Sequence, residues 1–438
     1  MKETLSSWGH HPRAPQTGHS VHWRCELGGT VERVSREHGG TLPFGNGRSY
    51  GDSCLAASGH VVQTHLLDRF ISADWESGVF KAEAGVTLAD ILSIAVPRGW
   101  FLPVTPGTKF ATLGGAIAND VHGKNHHVRG TFGNHVERFS LVRQGGEAVT
   151  CSPTENCELF AATIGGLGLT GIIEWAEIRL LPIRSSQIDA TVVRFGGLSD
   201  FFALSAELDH LHEYSVAWID CLATGANTGR GVFVAGDHAV DGRLEVDDRW
   251  KMQVPLTPRF SLINKVTSRA FNEVYWRRQP VRRTQKRMGC DLFFYPLDRV
   301  LNWNRLYGRN GFQQYQCVIP DAAAEIAMRE VLRVTSHAGE GSFLAVLKRC
   351  GDIASPGLMS FPLPGTSLAL DFPQSDTLEN QLFPNLDAIV REAGGRLYPA
   401  KDAHMSGKDF RIFYPAWEKV EALRDPAMNS RFWDRVTK

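Results

Sequence analysis

Residues 115 to 127, GAIANDVHGKNHH, crowd three histidines, a lysine and an aspartate beside glycines. Three chemistries are open to such a set: metal ligation, acid/base catalysis, or a loop that lies flat along a cofactor. His122 and His126 stand four apart, like the zinc ligands of an H-E-x-x-H helix, but Gly-Lys-Asn fills the interval. There is no glutamate base, Gly123 works against a helix, and a cation sits between the supposed ligands. No metal is expected here.

Two further glycine-rich phrases qualify as ligand loops. LPFGNGRSYGDSC, residues 42–54, can turn tightly and aim successive N–H groups at a pyrophosphate, although a purely structural turn explains it equally well. Its G-x-G-x-x-x-G spacing is not a Rossmann fingerprint, and no Gly-Lys-Ser/Thr follows to make a P-loop. IGGLGLTGII, residues 164–173, is apolar and suits a strand and turn passing close to a ring system. Between them, residues 105–136 hold six glycines and few large apolar side chains, too little for a core layer and too long for an idle loop. Three such loops suggest one extended ligand carrying both a pyrophosphate and a large planar ring.

The elements that must position these loops are partly readable. At 438 residues the chain exceeds one ordinary core, so two domains are expected. Up to about residue 182 the pattern is α+β: HVVQT reads as a strand, RFISADWESGVFKAEAG as a hairpin about Glu-Ser-Gly, and residues 88–95 as a helix capped by Thr87 and Asp90 and stopped by Pro97 and Gly99. From about 184, longer strand-like runs appear: QIDATVVRF, YSVAWIDCLA, GVFVAG, CDLFFYPL, FQQYQCVIP, SFLAVLKRC and SLALDFP. Helical patterns DAAAEIAMREVLRVTSHA and TLENQLFPNLDAIVREAGG lie among them, the latter stopped at Gly394 and Gly395. A second α+β domain built on an antiparallel sheet is expected.

Lys+Arg and Asp+Glu are equal at 47 each, so no global field points to nucleic acid and any charged partner must be met locally. Eight scattered cysteines without a C-x-x-C pair, no apolar leader run and no stretch of about 18 apolar residues imply a cytoplasmic protein with free thiols. One segment stands out. Residues 256–288 carry nine Lys and Arg against the single acid Glu273, with apolar residues interleaved. It reads either as a solvated surface or as a patch meeting anionic lipid headgroups at the inner face of the cytoplasmic membrane.

Taken together, GNGRSYGD, PGT with LGGAIA and HGKNHH, and GG-x-GLTGI resemble the PCMH-type FAD-binding domain of the vanillyl-alcohol-oxidase-type flavoproteins. They resemble more closely the decaprenylphosphoryl-β-D-ribose 2'-oxidase family. The resemblance continues through QYQCVIP, SFLAVLKRCG, LALDFP and GGRLYPAKD, nearly the whole chain. It implies a two-domain α+β fold: a PCMH-type FAD domain over 1–183, a substrate domain on an antiparallel sheet over 184–396, and a segment 397–438 that returns to the FAD domain. It also implies cofactor contacts from Pro43, Phe44, Gly45, Asn46, Gly47, Arg48, Ser49, Tyr50, Gly51, Asp52 and Ser53 in the first loop. Gly107, Thr112, Leu113, Gly114, Gly115, Asn119, Asp120, Val121 and His122 follow in the second, then Ile172 and Tyr398. Many relatives bind flavin covalently through a first-loop histidine; Arg48 holds that place here, which implies dissociable FAD.

The same resemblance implies Lys401, His122 and Tyr50 as catalytic groups and Gln316, Lys348, Lys124 and Ala369 as substrate contacts. His122 is a candidate proton acceptor because an unperturbed imidazole titrates near working pH. Ala369 replaces the family's pocket cysteine, a side chain hydride transfer does not require. The implied reaction is FAD-dependent oxidation of the 2'-hydroxyl of a polyprenyl-phosphoryl ribose, with quinone or oxygen as external acceptor and an NAD(P)H-dependent short-chain reductase completing epimerisation to the arabinose. Rival readings are a soluble alditol or aldonolactone oxidase of the same flavin fold, which YPAKD in place of His-Trp-Gly-Lys disfavours, and a non-catalytic FAD-binding subunit.

Overall fold

The hairpin expected at 70–83 forms in the computed structural model, which describes residues 5–246 and 251–438. Strands Phe70–Asp74 and Val79–Glu83 pair antiparallel, and Gly78, at φ 75°, makes a turn that a side chain would resist. They form one side of a five-stranded antiparallel sheet completed by Ile172–Arg179, Val136–Val142 and Ala148–Cys151. Helix Leu88–Ala95 starts on the expected capping box, the Asp90 N–H donating to Thr87 Oγ1 and the Thr87 N–H to the Asp90 carboxylate. Its Leu88, Ile91, Leu92 and Ala95 are buried in one core with Phe80, Phe139 and Ala176 of the sheet. A small parallel sheet, Thr17–Ser20, His60–Gln63 and Pro43–Phe44, packs on helix Arg24–His38 through Val62, Leu27 and Val31.

Residues 187–397 build an eight-stranded sheet whose neighbours all run antiparallel. Its order is Arg283–Gly289, Gln187–Phe195, Gly231–His238, Tyr214–Ile219, Ala345–Cys350, Gly365–Pro373, Phe312–Pro320 and Arg396–Leu397. Helices Asp321–Ala338 and Phe383–Glu392 cover one face, burying Met328, Val331, Leu386 and Val390 with Ile319, Leu347, Leu368 and Leu370. Because side chains alternate along a strand, Gln314, Gln316, Lys348 and Ala369 point to the other face.

Two expectations need correction. CDLFFYPL is no strand: Cys290–Phe294 is a short helix, and with Phe293, Phe294 and Tyr295 all buried its apolar run carries no period to separate helix from strand. The strand completing that edge is Arg283–Gly289, RTQKRMG, inside the basic segment. It lacks an apolar alternation because it is an edge, where charge protects the sheet from pairing with another chain.

After Leu397 the chain packs on residues 41–57. The Asn429 N–H donates to Thr41 O (3.0 Å) and the Arg431 N–H to Leu55 O (2.8 Å), while Arg435 pairs with Asp52 (2.8 Å) and Asp402 (2.9 Å). Gly51 sits in this seam. A Cβ there would lie 1.7 Å from the Asp402 carbonyl oxygen, so only glycine fits.

Candidate active site

Between the glycine-rich loops and the uncovered face of the eight-stranded sheet lies a cavity of about 1030 Å³, at the top of the roughly 300–1,000 Å³ typical of ligand pockets. From the first loop it is walled by residues 43–50 and Ser53, from the second by Gly107, Thr112, Gly114, Gly115, Asn119, Val121 and His122, and from the third by Ile172. Gln316, Lys348 and Ala369 form the opposite wall, joined by Lys124, Tyr398 and Lys401.

Four residues expected at the cofactor lie off this wall. Gly51 and Asp52 face the C-terminal segment, Leu113 is fully buried in core, and the Asp120 carboxylate is taken up by the Ser355 and Ser360 hydroxyls and the Gly133 N–H. The loops meet the cavity with some side chains and pin themselves with the others, so a contiguous motif overstates contact.

The wall fits FAD. Arg48 Nε and Ser53 Oγ are buried there without a protein partner, two donors facing a space that a phosphate can fill. The Arg48 guanidinium is held by stacking, 4.2 Å from the Trp8 ring centroid and 5.5 Å from that of Phe110. Trp8, preceding the first strand, is a wall residue that no periodicity signals.

At the other end, three cations converge. Lys401 Nζ lies 3.6 Å above the Tyr50 ring, and burial lowers its pKa to about 7, partly opposed by the charge of Asp371. Lys348 and Lys124 are pulled down to about 8, chiefly by burial. The carboxyl of Asp371 is raised to about 7 by burial, against a hydrogen bond donated by Gln314 and the charge of Lys401, and its Oδ2 has no partner. Asp371 was not singled out from sequence; the available signal was a lone acid inside the apolar run SLALDFP.

His122 Nδ1 pairs with Lys348 Nζ, which also donates to Gly123 O at 2.7 Å, and His122 Nε2 lies 3.2 Å from the Gln316 carboxamide. Burial, then Lys348, holds the imidazole well below its ordinary pKa, so an unperturbed value does not apply. The Gln316 atom facing His122 Nε2 is its amide Nε2, so a neutral ring that accepts that hydrogen bond carries its proton on Nδ1, whereas a ring that accepts from Lys348 carries it on Nε2. His126 Nδ1 accepts from the Gly351 N–H and His127 Nε2 meets His212 O, so the three histidines of the opening phrase serve three different places.

The cavity is bordered by the basic segment, of which Tyr275, Arg278, Gln279, Lys286 and Arg287 line its wall. Helix Lys265–Arg277 turns polar side chains inward and apolar ones outward: Ser268 and Asn272 are buried, while Val266 and Val274 are 76% and 69% exposed. Leu256 and Phe260 are 78% and 83% exposed, flanked by exposed Arg259, Lys265, Arg269 and Arg277. No helix among the described residues is long and apolar enough to cross a membrane.

Residues 25–152 match the family model described as FAD binding domain. Over 413 residues the chain is 35% identical to decaprenylphosphoryl-beta-D-ribose oxidase of Mycolicibacterium smegmatis, covering 90% of this chain and 88% of that protein. It is 32% identical to an uncharacterised protein of Streptomyces coelicolor over 77% of this chain and 95% of that one. Human Delta(24)-sterol reductase is 28% identical over 34% of this chain and 28% of its own length.

Proposed function

We propose, from the premise that this chain belongs to the decaprenylphosphoryl-β-D-ribose oxidase family of FAD-dependent oxidoreductases, that it oxidises the 2'-hydroxyl of a polyprenyl-phosphoryl-β-D-ribose to the 2'-keto sugar. The observation carrying this reading is one cavity that gathers the FAD-family loops, His122 among them, on one wall and Lys401, Lys348 and Gln316 on the other. Held by the glycine-rich loops, FAD would supply a two-electron acceptor for the hydride of the carbinol carbon. Lys401 is the base in this reading: a lysine at about 7 is substantially neutral at working pH and can take the hydroxyl proton. The charge of Asp371 tunes it, raising its pKa against the effect of burial. Lys348 and Gln316, one at each ring nitrogen, hold His122 in place beside the sugar pocket. Tyr50 underlies Lys401 and shapes its end of the pocket.

Lys124, Arg278 and Lys286 on the wall suit a phosphate-bearing substrate better than an uncharged alditol, which favours the lipid-phosphate sugar over the soluble-oxidase reading. The division into 1–183, 184–396 and 397–438, non-covalent FAD, a quinone or oxygen acceptor and a short-chain reductase partner complete the proposal. The deciding experiment is anaerobic bleaching. The purified yellow protein should release FAD on denaturation and should bleach with a polyprenyl-phosphoryl ribose but not with alditols or lactones. Bleaching by alditols or lactones alone assigns a soluble sugar oxidase; no bleaching by any sugar assigns a non-catalytic flavin subunit.

The exposed apolar residues among cations at 256–278, beside the cavity, support docking at an anionic bilayer surface on the inner face of the cytoplasmic membrane. The protein should sediment with vesicles containing phosphatidylglycerol and much less with phosphatidylcholine vesicles. Val266→Asp with Val274→Asp, on side chains already in solvent, should abolish sedimentation while leaving FAD content unchanged. Retained sedimentation would remove this surface from the proposal.

A further inference from the structure

Away from the cavity, three histidines distant in sequence meet at one point. His19 lies on strand Thr17–Ser20, His60 opens the parallel strand His60–Gln63, and His38 is the last residue of helix Arg24–His38. Register sets Thr17 beside His60, and the two-residue period brings His19 to the same face as its neighbour. The His38 and His60 rings stack at 3.6 Å with 10° between their planes, and the His19 ring centroid lies 5.3 Å from that of His60 and 5.6 Å from that of His38. His19 Nε2 and His60 Nδ1 are 3.0 Å apart, and one nitrogen from each of the three rings falls within 4.8 Å of the others.

That spacing has a chemical meaning. Two imidazole nitrogens on a tetrahedral zinc, each about 2.0–2.1 Å from the metal, stand about 3.4 Å apart. The His19–His60 pair is within a few tenths of an ångström of this, and only His38, an exposed side chain free to turn about its χ angles, must close in. Burial lowers the pKa of both His19 and His60, and neighbouring charges, Arg33 at His19 and His38 at His60, lower it further, the direction that favours the ligating form. His38 also ends a 15-residue helix, where unpaired carbonyls favour a cation. The Glu37 carboxylate, 3.9 Å from His38 Nε2, offers charge compensation while holding Arg33 at 3.5 Å.

We infer that His19, His38 and His60 form a binding site for one borderline divalent transition-metal ion, zinc, nickel or copper rather than magnesium or calcium. The fourth position is open to water. The ion joins the end of the first helix to two strands of the parallel sheet, whose third strand, Pro43–Phe44, leads into the first cavity loop. It therefore clamps the scaffold of that loop and takes no part in the oxidation.

Untagged holoprotein titrated with zinc chloride in a calorimeter should bind one equivalent saturably, and one equivalent of copper(II) should give an EPR spectrum with nitrogen hyperfine structure. His60→Ala and His38→Ala should each weaken binding by at least about tenfold, the loss typical of even an outer-shell ligand partner. His210→Ala, on an isolated exposed histidine, should bind as the parent does. FAD absorbance and circular dichroism of each variant report its folding independently. Absence of saturable binding, or binding that persists unchanged in folded His38→Ala, would overturn the site.

Discussion

Lys401→Ala should leave the protein yellow and lower kcat by about 10²–10⁴-fold, the range expected for removing a positioned acid/base or charge-stabilising group. The lysine is held over the Tyr50 ring at 3.6 Å, and its amide is anchored to Tyr398 O at 3.0 Å, so truncation empties one spot of the pocket without releasing the backbone. With a pKa of about 7 the neutral form accumulates above that pH. A base acts only when unprotonated, so kcat/KM should fall as pH drops below about 7 and level off above it. Asp371, also near 7, shares this titration, and the limb belongs to the pair. Asp371→Asn removes the charge that raises the lysine and should therefore move the limb to lower pH. Lys401→Arg separates two roles: a guanidinium restores positive charge but cannot lose its proton, so it should fail to rescue a base. Substantial rescue by arginine would make Lys401 an electrostatic stabiliser, and near-normal turnover in Lys401→Ala would remove it from the reaction.

Arg435→Ala should cost about 3–5 kcal/mol in stability, the penalty of leaving buried carboxylates without their counter-charge. The guanidinium grips Asp52 through two bonds of 3.0 and 2.8 Å, Asp402 at 2.9 Å and the Met405 carbonyl at 2.5 Å. Asp52 lies in the first loop and Asp402 follows Lys401, so the pair of contacts ties that loop to the Lys401 end of the cavity. Denaturation followed by tryptophan and by flavin fluorescence should both shift to lower denaturant, with flavin release shifting at least as far. Arg435→Met combined with Asp52→Asn removes one buried charge on each side and should recover part of the loss. Equal midpoints for Arg435→Ala and parent would mean that the C-terminal segment is held by its apolar packing alone.

Local grammar carried a good deal. The Thr87/Asp90 capping box, the hairpin turning at Gly78 and the helix 321–338 were legible because each is decided by residues within one or two turns of one another. In the strand formed by FQQYQCVIP, Gln314 and Gln316 face the cavity and Tyr315 and Cys317 the core, a division that the adjacent polar pair Gln313-Gln314 hides from a simple alternation. Where local pattern was degenerate the reading failed. The apolar CDLFFYPL has no period, and the polar edge strand RTQKRMG has no apolar face to reveal it.

What the sequence by itself determined is therefore the identity of the elements whose signals are local, and, through three glycine phrases in order, the class of ligand they serve. Only the tertiary structure decided which members of those phrases line the cavity. Gly51, Asp52, Leu113 and Asp120 turn away, and their partners Asp402, Arg435, Ser355 and Ser360 lie hundreds of residues off. The same holds for charge. Histidine and lysine carry ordinary pKa values in a string of letters; burial and then Lys348 hold His122 well below its own, and burial, opposed by the charge of Asp371, brings Lys401 to about 7. Desolvation and long-range pairing are properties of the assembled sheet and loops, and no spacing along the chain encodes them.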